Sequence, residues 1–320
     1  MDTIALDTIG DRRIVEIINS TLEYGDAETC STFSIKQESL SRYKREFKKR
    51  FGSFKRRAIV EKIISNYTDA ELKAISAGGL GAIGTKKHII TRDGESVRFG
   101  FMTDTHIGSI YTRPEIIKEA IQTMEDNGCE FIAHAGDVTE GMSNRPGHVY
   151  ELTDIGYTAQ RDKAVEILSK SSLPIYMIDG NHDRWFVKSS GAYIVKDIAD
   201  TIGAVYLGQD EGEIIINGAV IRLWHGEDSG SYAVSYRLQK LIESFSGGTK
   251  PHVLLCGHTH KQGYFFDRNI HVVSGGCLQT QSRWMRSKRI SAHTGYHIID
   301  MTITDDGVTR FRVEFFPFFL

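Results

Sequence analysis

The chain has 320 residues, 40% of them hydrophobic, enough to fill one large core or a medium core with a small appendage. Its 39 Lys and Arg against 41 Asp and Glu leave a formal net charge of -2, which excludes a global basic field, so any nucleic-acid surface must come from local clustering. The opening MDTIALDTIGDRR lacks a basic then apolar leader, no apolar run is long enough to span a bilayer, and the four cysteines (Cys30, Cys129, Cys256, Cys277) are widely separated. Together these features point to a cytoplasmic protein with reduced thiols and no membrane partner.

At the amino terminus, Ile14, Ile18 and Leu22 share one helical face, Tyr24 to Ile35 reads as turn-like, and Ser39 to Arg45 reads as a second, basic helix. The cations continue through Lys48, Lys49, Arg50, Lys55, Arg56 and Arg57. Residues 1–67 are therefore expected to form a small helical module that weakly resembles a helix-turn-helix reader. The resemblance implies DNA contacts from Lys36, Gln37, Ser39, Arg42, Lys44 and Arg45, whereas a charged helical hairpin without a ligand would have the same composition. Glycine-rich Ser76 to Gly84 suits a connection, taken as residues 68–95, with the main domain over 96–320.

The main domain alternates strand-like and helical runs. Val97 to Thr103 reads as a buried strand, followed by a helix with Thr112 as N-cap, Pro114 in its first turn and Asn127-Gly128 at its end. Strands at Phe131 to Ala135 and Pro174 to Ile178 alternate with helices at Ala159 to Leu168 and Ala192 to Ile202. Asn217-Gly218 and Asp306-Gly307 sit between apolar runs as hairpin turns, so a second, largely antiparallel sheet should face the first. The expected fold class is α/β, two facing mixed β-sheets flanked by helices.

Five polar clusters each follow an apolar strand-like run or open a loop: Asp104-Thr105-His106, Gly136-Asp137, Gly180-Asn181-His182-Asp183, His225-Gly226 and Gly257-His258-Thr259-His260. Loops leaving the carboxyl ends of neighbouring strands converge, which brings such clusters into one crevice. Imidazole, carboxylate and amide oxygen suit intermediate divalent metals, and a pair of ions needs about seven such side chains.

In this order and spacing, D-x-H, GD, GNHD, H and GHxH resemble the calcineurin-like metallophosphoesterase superfamily. The resemblance implies two divalent ions, most readily Mn2+ with Fe, Zn or Ni as alternatives, and a nucleophilic water held between them. It places Asp104, His106 and His260 on the first metal, Asn181, His225 and His258 on the second, and Asp137 across both. His182 would protonate the leaving oxygen, with Asp183 orienting it. Protein phosphatases of the superfamily carry GDxVDRG and LRGNHE. This chain instead reads Gly136-Asp137-Val138-Thr139-Glu140-Gly141 and Ile178-Asp179-Gly180-Asn181-His182-Asp183, which disfavours that branch.

Ser282 to Arg289 mixes tryptophan with cations, and Arg283, Trp284 and Arg286 are candidates to stack on a base and grip phosphates; a solvated loop is the plainer reading. Glu140, Arg145 and His148 are either phosphate contacts or solvated loop positions, and His134 reads as a hydrogen-bonded core histidine. The aromatic tail Phe315 to Leu320 is an edge strand or a docking segment for a second copy or a replication or repair partner. The whole resembles DNA repair nucleases of the SbcD type, virus-encoded in one version and then working in the host cytoplasm. A nucleotide or cyclic-nucleotide hydrolase, and a DNA-binding assembly protein using the domain as scaffold, are the alternatives.

Overall fold

The computed structural model describes residues 9–51, 85–227, 233–245 and 250–319. The chain divides into two compact units, Met1–Gly84 and Thr85–Leu320. The glycine-rich stretch before Thr85, and the cations after Phe51, lie outside the described residues.

In the first unit, α1 (Ile9–Tyr24) and α3 (Gln37–Phe51) pack through Ile14, Ile18 and Phe47, because residues three and four apart share a helical face. The expectation that Tyr24 to Ile35 is turn-like is corrected, since Asp26–Thr32 forms α2. Its sequence, DAETCST, has no apolar period to betray it. Acidic Asp26 and Glu28 sit in its first turn, where they complement the helix dipole.

The second unit is built from two six-stranded sheets. One runs β12-β11-β2-β3-β4-β5, and the other β1-β6-β7-β8-β10-β9. Their strands are β1 (Lys86–Ile90), β2 (Ser96–Met102), β3 (Ile132–His134), β4 (Ile175–Asp179), β5 (Val205–Gln209), β6 (Glu211–Ile216), β7 (Ala219–Trp224), β8 (Val253–Cys256), β9 (Gln262–Asp267), β10 (Ile270–Gly275), β11 (Gly295–Thr304) and β12 (Gly307–Pro317). Residues 68–95 are therefore not all connection, as Lys86–Ile90 pairs in parallel with Gly212–Ile216. The second sheet is also mixed rather than largely antiparallel, because β1/β6, β7/β8 and β8/β10 are parallel pairs.

Alternation along the strands sends Phe99, Phe101, Ile178 and Ile299 of one sheet against Ile214, Ile221, Leu255 and Val273 of the other. The opposite face of the first sheet is covered by α4 (Pro114–Asp126), α5 (Tyr157–Leu168) and α7 (Ile194–Ile202), and that of the second by α8 (Val234–Ser244). The result is a four-layered αββα arrangement. A short α6 (Arg184–Ser190) and α9 (Arg283–Ser287) rise beside the loops.

Arg113 rather than Thr112 is the N-cap of α4. The Thr112 hydroxyl instead donates to the carbonyls of Thr105 and His106, so it braces a loop rather than a helix. Asn217-Gly218 makes the expected turn, both residues having positive φ. The second hairpin turns one residue earlier than expected, on Asp305-Asp306, with Gly307 at positive φ opening β12 opposite Thr304. The aromatic tail is the edge strand: Phe315 packs on His297, and Phe316 and Phe318 on Tyr296, leaving Phe319 exposed. Among the described residues, no helix is long and apolar enough to cross a membrane.

Candidate metal centre

β2, β3 and β4 are mutually parallel, as are β7 and β8, so in each sheet the carboxyl ends lie side by side. Asp104 and His106 follow β2, Asp137 follows β3, Asn181 follows β4, His225 follows β7, and His258 and His260 follow β8. Asp104, His106, Asp137, His258 and His260 all hold positive φ, at 53°, 44°, 50°, 74° and 56°. Non-glycine residues seldom adopt this region, which costs of order 1 kcal/mol each and gathers at functional sites. Gly180 permits the closest approach, since a Cβ there would collide with Asp137.

Two groups of donor atoms result. Asp104, His106 and His260 form the first, with His260 Nε2 3.2 Å from Asp104 Oδ1 and 3.1 Å from His106 Nε2. Asp137, His225 and His258 form the second: His225 Nε2 is 3.1 Å from Asp137 Oδ2, and Asn181 Oδ1 lies 3.1 Å from His225 Nε2 and 2.8 Å from His258 Nδ1. Asp137 Oδ2 is also 3.7 Å from His106 Nε2, which puts this carboxylate between the two groups.

Hydrogen bonds behind the rings choose which nitrogen faces inward. His225 Nδ1 donates to the Ala135 carbonyl at 2.7 Å, leaving Nε2 for the site. His106 Nδ1 lies 2.9 Å from Glu140 Oε2, off the line of an ideal hydrogen bond, and its Nε2 faces Asp104 and Asp137. Burial opposes ionisation of Asp104, but His260 and then His225 hold its pKa down at about 2. Burial, with the charge of His225, pulls His258 down to about 4, so its imidazole is neutral and able to ligate near pH 7.

These residues fit a pair of divalent ions. The donors are the imidazole, carboxylate and amide oxygens that such ions take, and each group closes to within 4.8 Å. His260 completes the test. Its Nδ1 is 3.4 Å from Gln279 Nε2, while Gln279 Oε1 is buried without a partner. Turning that amide over would let Oε1 accept from Nδ1–H and free His260 Nε2 as a ligand.

The role expected of Asp183 is corrected. Its carboxylate accepts the backbone N–H groups of Val138 (3.0 Å), Thr139 (2.8 Å) and Gly180 (2.9 Å) and the Thr139 hydroxyl (2.8 Å), with no bond to His182. Asp183 thus clamps the Asp137 loop to the Asn181 loop; adjacency in sequence misleads here because the turn points the two side chains apart. His182 Nδ1 donates instead to the Glu140 carbonyl at 2.8 Å. Glu140 and His148, expected as solvated or phosphate-gripping residues, are both buried and bonded to each other at 3.0 Å. The pattern G-D-x-x-E with a histidine eight residues on is the available signal. His134 is a buried core histidine bonded to the Thr105 hydroxyl, as expected.

Above these donors lies a cleft of about 920 Å³ with His106, Asp137, Asn181, His182, His258 and His260 on its floor. Trp185, Trp284, Arg145, Arg237, Lys261, Lys288 and Arg289 form the walls. Of the three candidates in the late basic run, only Trp284 lines it. The segment is helical, so Trp284 and Lys288 share one face with Met285 and Arg289 beside them, while Arg283 and Arg286 point elsewhere into solvent. In the amino-terminal unit, Lys36, Arg42 and Arg45 are exposed and Ser39 is half-buried. Gln37 and Lys44 are engaged by Asp26, at 3.2 and 2.7 Å.

The chain is 25% identical over 260 residues to the DNA polymerase II small subunit of Halobacterium salinarum, covering 68% of this chain and 50% of that one. It is 22% identical over 233 residues to the subunit of the same name from Methanothermobacter thermautotrophicus, covering 58% and 48%. The chain thus spans about half the length of these relatives. A solved structure described as a novel archaeal phosphodiesterase is 17% identical, with a TM-score of 0.43 over 69% of this chain and all of that one. Residues 97–293, well over half of the chain, match the calcineurin-like phosphoesterase superfamily domain. The chain belongs to the calcineurin-like phosphoesterase superfamily.

Proposed function

We propose that this protein is a phosphodiesterase that cleaves DNA with two divalent metal ions, Mn2+ being the first choice. The observation that carries the reading is the cleft: seven convergent donors beneath walls that combine two tryptophans with five cations. Tryptophan faces stack on nucleobases irrespective of sequence, and cations grip the phosphates between them. A small monophosphate needs neither. Trp284 is 48% exposed at this wall, available to a ligand rather than spent on the core. The similarity to DNA polymerase II small subunits favours a DNA substrate and a protein partner in DNA synthesis or repair.

Bound divalent ions would supply Lewis acidity at the phosphoryl oxygens and lower the pKa of water. Asp104, His106 and His260 would hold one, Asn181, His225 and His258 the other, and Asp137 both. The protein itself delivers the proton. With Nδ1 committed to the Glu140 carbonyl, His182 presents Nε2 to the leaving oxygen, and the Trp185 ring 4.0 Å away fixes its plane. Burial lowers the His182 pKa against the pull of Asp137 and Glu140.

The amino-terminal unit is assigned as a DNA-docking module through Lys36, Arg42 and Arg45. The test is manganese-dependent hydrolysis of single- and double-stranded DNA, cyclic dinucleotides, cyclic mononucleotides and a chromogenic phosphodiester. Cleavage of DNA and of the chromogenic diester supports the proposal. Hydrolysis of nucleotides with none of DNA replaces it with a nucleotide hydrolase.

A further inference from the structure

We propose that Glu140 is a positioning residue that ties the ligand His106 to the proton donor His182, fixing one ring with its carboxylate and the other with its backbone carbonyl. The inference rests on the metal-centre reading above and is independent of whether the substrate is DNA.

Glu140 is 6% exposed, and its carboxylate oxygens are divided between two histidines. Oε2 faces His106 Nδ1 at 2.9 Å, and Oε1 faces His148 Nε2 at 3.0 Å. The tautomer of His148 follows from its other side: Nδ1 accepts the Ser143 N–H at 3.1 Å, so Nε2 carries the hydrogen and donates to Glu140. His148 thereby holds the carboxylate without needing charge. Its partner oxygen is left facing His106 Nδ1 as a close charge contact, off the line of an ideal hydrogen bond, which favours the proton on Nδ1 and so directs the Nε2 lone pair to the metal side.

The backbone of Glu140 is as constrained as its side chain. Its N–H donates to the Ile107 carbonyl at 3.0 Å, one residue beyond His106, and its C=O receives His182 Nδ1–H at 2.8 Å. The next residue, Gly141, packs so closely on the His182 carbonyl that a Cβ would collide with it. Fully buried Gln160 grips both peptide groups of Gly141, accepting its N–H at 2.8 Å and donating to its C=O at 3.0 Å. Trp185 then packs against His182 at 4.0 Å and edge-on to His148 at 5.3 Å. Shifting Glu140 must move His106 and His182 together. A buried carboxylate carries a heavy desolvation cost unless paired, so a purely structural position would be served better by an apolar side chain.

The experiment compares wild type, Glu140→Gln and Glu140→Asp by Mn2+ titration calorimetry of the metal-stripped protein, with chromogenic diester kinetics in parallel. The amide of Glu140→Gln has the shape of the carboxylate but one acceptor for two N–H donors. The expected result is a 10- to 100-fold weaker Mn2+ affinity at one of two sites, about the range for partners behind metal-ligating histidines. Turnover should fall by more than KM changes, and the unfolding midpoint of the metal-stripped protein should be close to that of wild type. Glu140→Asp keeps the charge but withdraws it by a methylene, so it should lose affinity in the same direction even if Glu140→Gln does not fold. A wild-type isotherm and turnover in a folded variant would overturn the role of Glu140 and leave the metal centre standing. A wild-type protein that binds no Mn2+ would overturn both.

Discussion

Asp137 Oδ1 accepts the backbone N–H of His182 at 2.8 Å, while its Oδ2 lies 3.1 Å from His225 Nε2. One carboxylate therefore organises the position proposed to be shared by both metals and the peptide that carries the proposed proton donor. Asp137→Ala is expected to lose both metals and to lower turnover by ~10³-fold or more, as bridging charge and positioning go together. Metal analysis and turnover on the chromogenic diester check it. Cys256→Ser is the control: this cysteine is a wholly buried packing residue under α8, so stability should drop by ~1–3 kcal/mol while turnover per folded molecule holds.

His182→Asn separates proton donation from metal binding. It should retain both ions, lose ~10²–10⁴-fold on a poor, alkoxide-like leaving group and far less on an activated aryl diester, which departs without needing the proton. Equal losses on both substrates would assign His182 another task. Asp183→Asn should behave differently, because its bonds join two ligand loops: metal affinity should fall, with no dependence on the leaving group.

Trp284→Ala is expected to raise KM for an oligonucleotide by roughly 5- to 150-fold, the equivalent of ~1–3 kcal/mol of stacking. Arg286→Ala, on another face of the same helix and outside the cleft, should change it by less than about twofold, within the usual range for a surface residue. Steady-state kinetics on the same oligonucleotide compare the two directly.

His297 is buried against Phe101 and Phe315, and burial alone lowers its pKa to about 3. An imidazole in the unfolded chain takes up its proton near the ordinary value of 6.5, whereas the folded one stays neutral far below it. Stability is thus untouched by this group above that pH and falls as pH drops between the two values, by up to ~1.4 kcal/mol per unit. His297→Phe, which cannot be protonated, should flatten the acid limb. Denaturant midpoints of both proteins from pH 7 to 4 should converge on or cross in favour of the variant; parallel curves would show that another group governs the limb.

Removing residues 1–84 should make duplex binding less salt-sensitive while leaving hydrolysis of the chromogenic diester within about threefold, as expected for separate units. The slope of log K against log salt should become shallower by ~0.9 for every phosphate that the truncated protein no longer neutralises. Binding isotherms at several salt concentrations give both slopes, and equal slopes would reduce the basic α3 to solvated surface.

The candidate clusters are legible in the sequence because each is a local event, one or more polar residues at a strand end with glycine beside four of the five, and parallel strands bring such ends together whatever the loops do. The layers follow from the same alternation of apolar runs. What escapes is set by phase or by distant partners. Adjacency pairs Asp183 with His182, whereas its acceptors are spent on peptides of Val138 and Thr139, over forty positions away. Glu140 carries no local mark of burial, and only the fold brings His106 and His148 to it. Nothing in the late basic run gives the helical phase that separates Arg283 and Arg286 from Trp284. Lys86–Ile90, polar at its start and partly exposed, becomes a strand only because β6 offers it an edge.

The left-handed backbone at Asp104, His106, Asp137, His258 and His260 sets these side chains against the conformational preference of the residues that carry them. Glycine or asparagine would relieve that backbone strain at every one of these positions. In backbone terms, each of these five side chains stands where a more permissive residue would fold at lower cost.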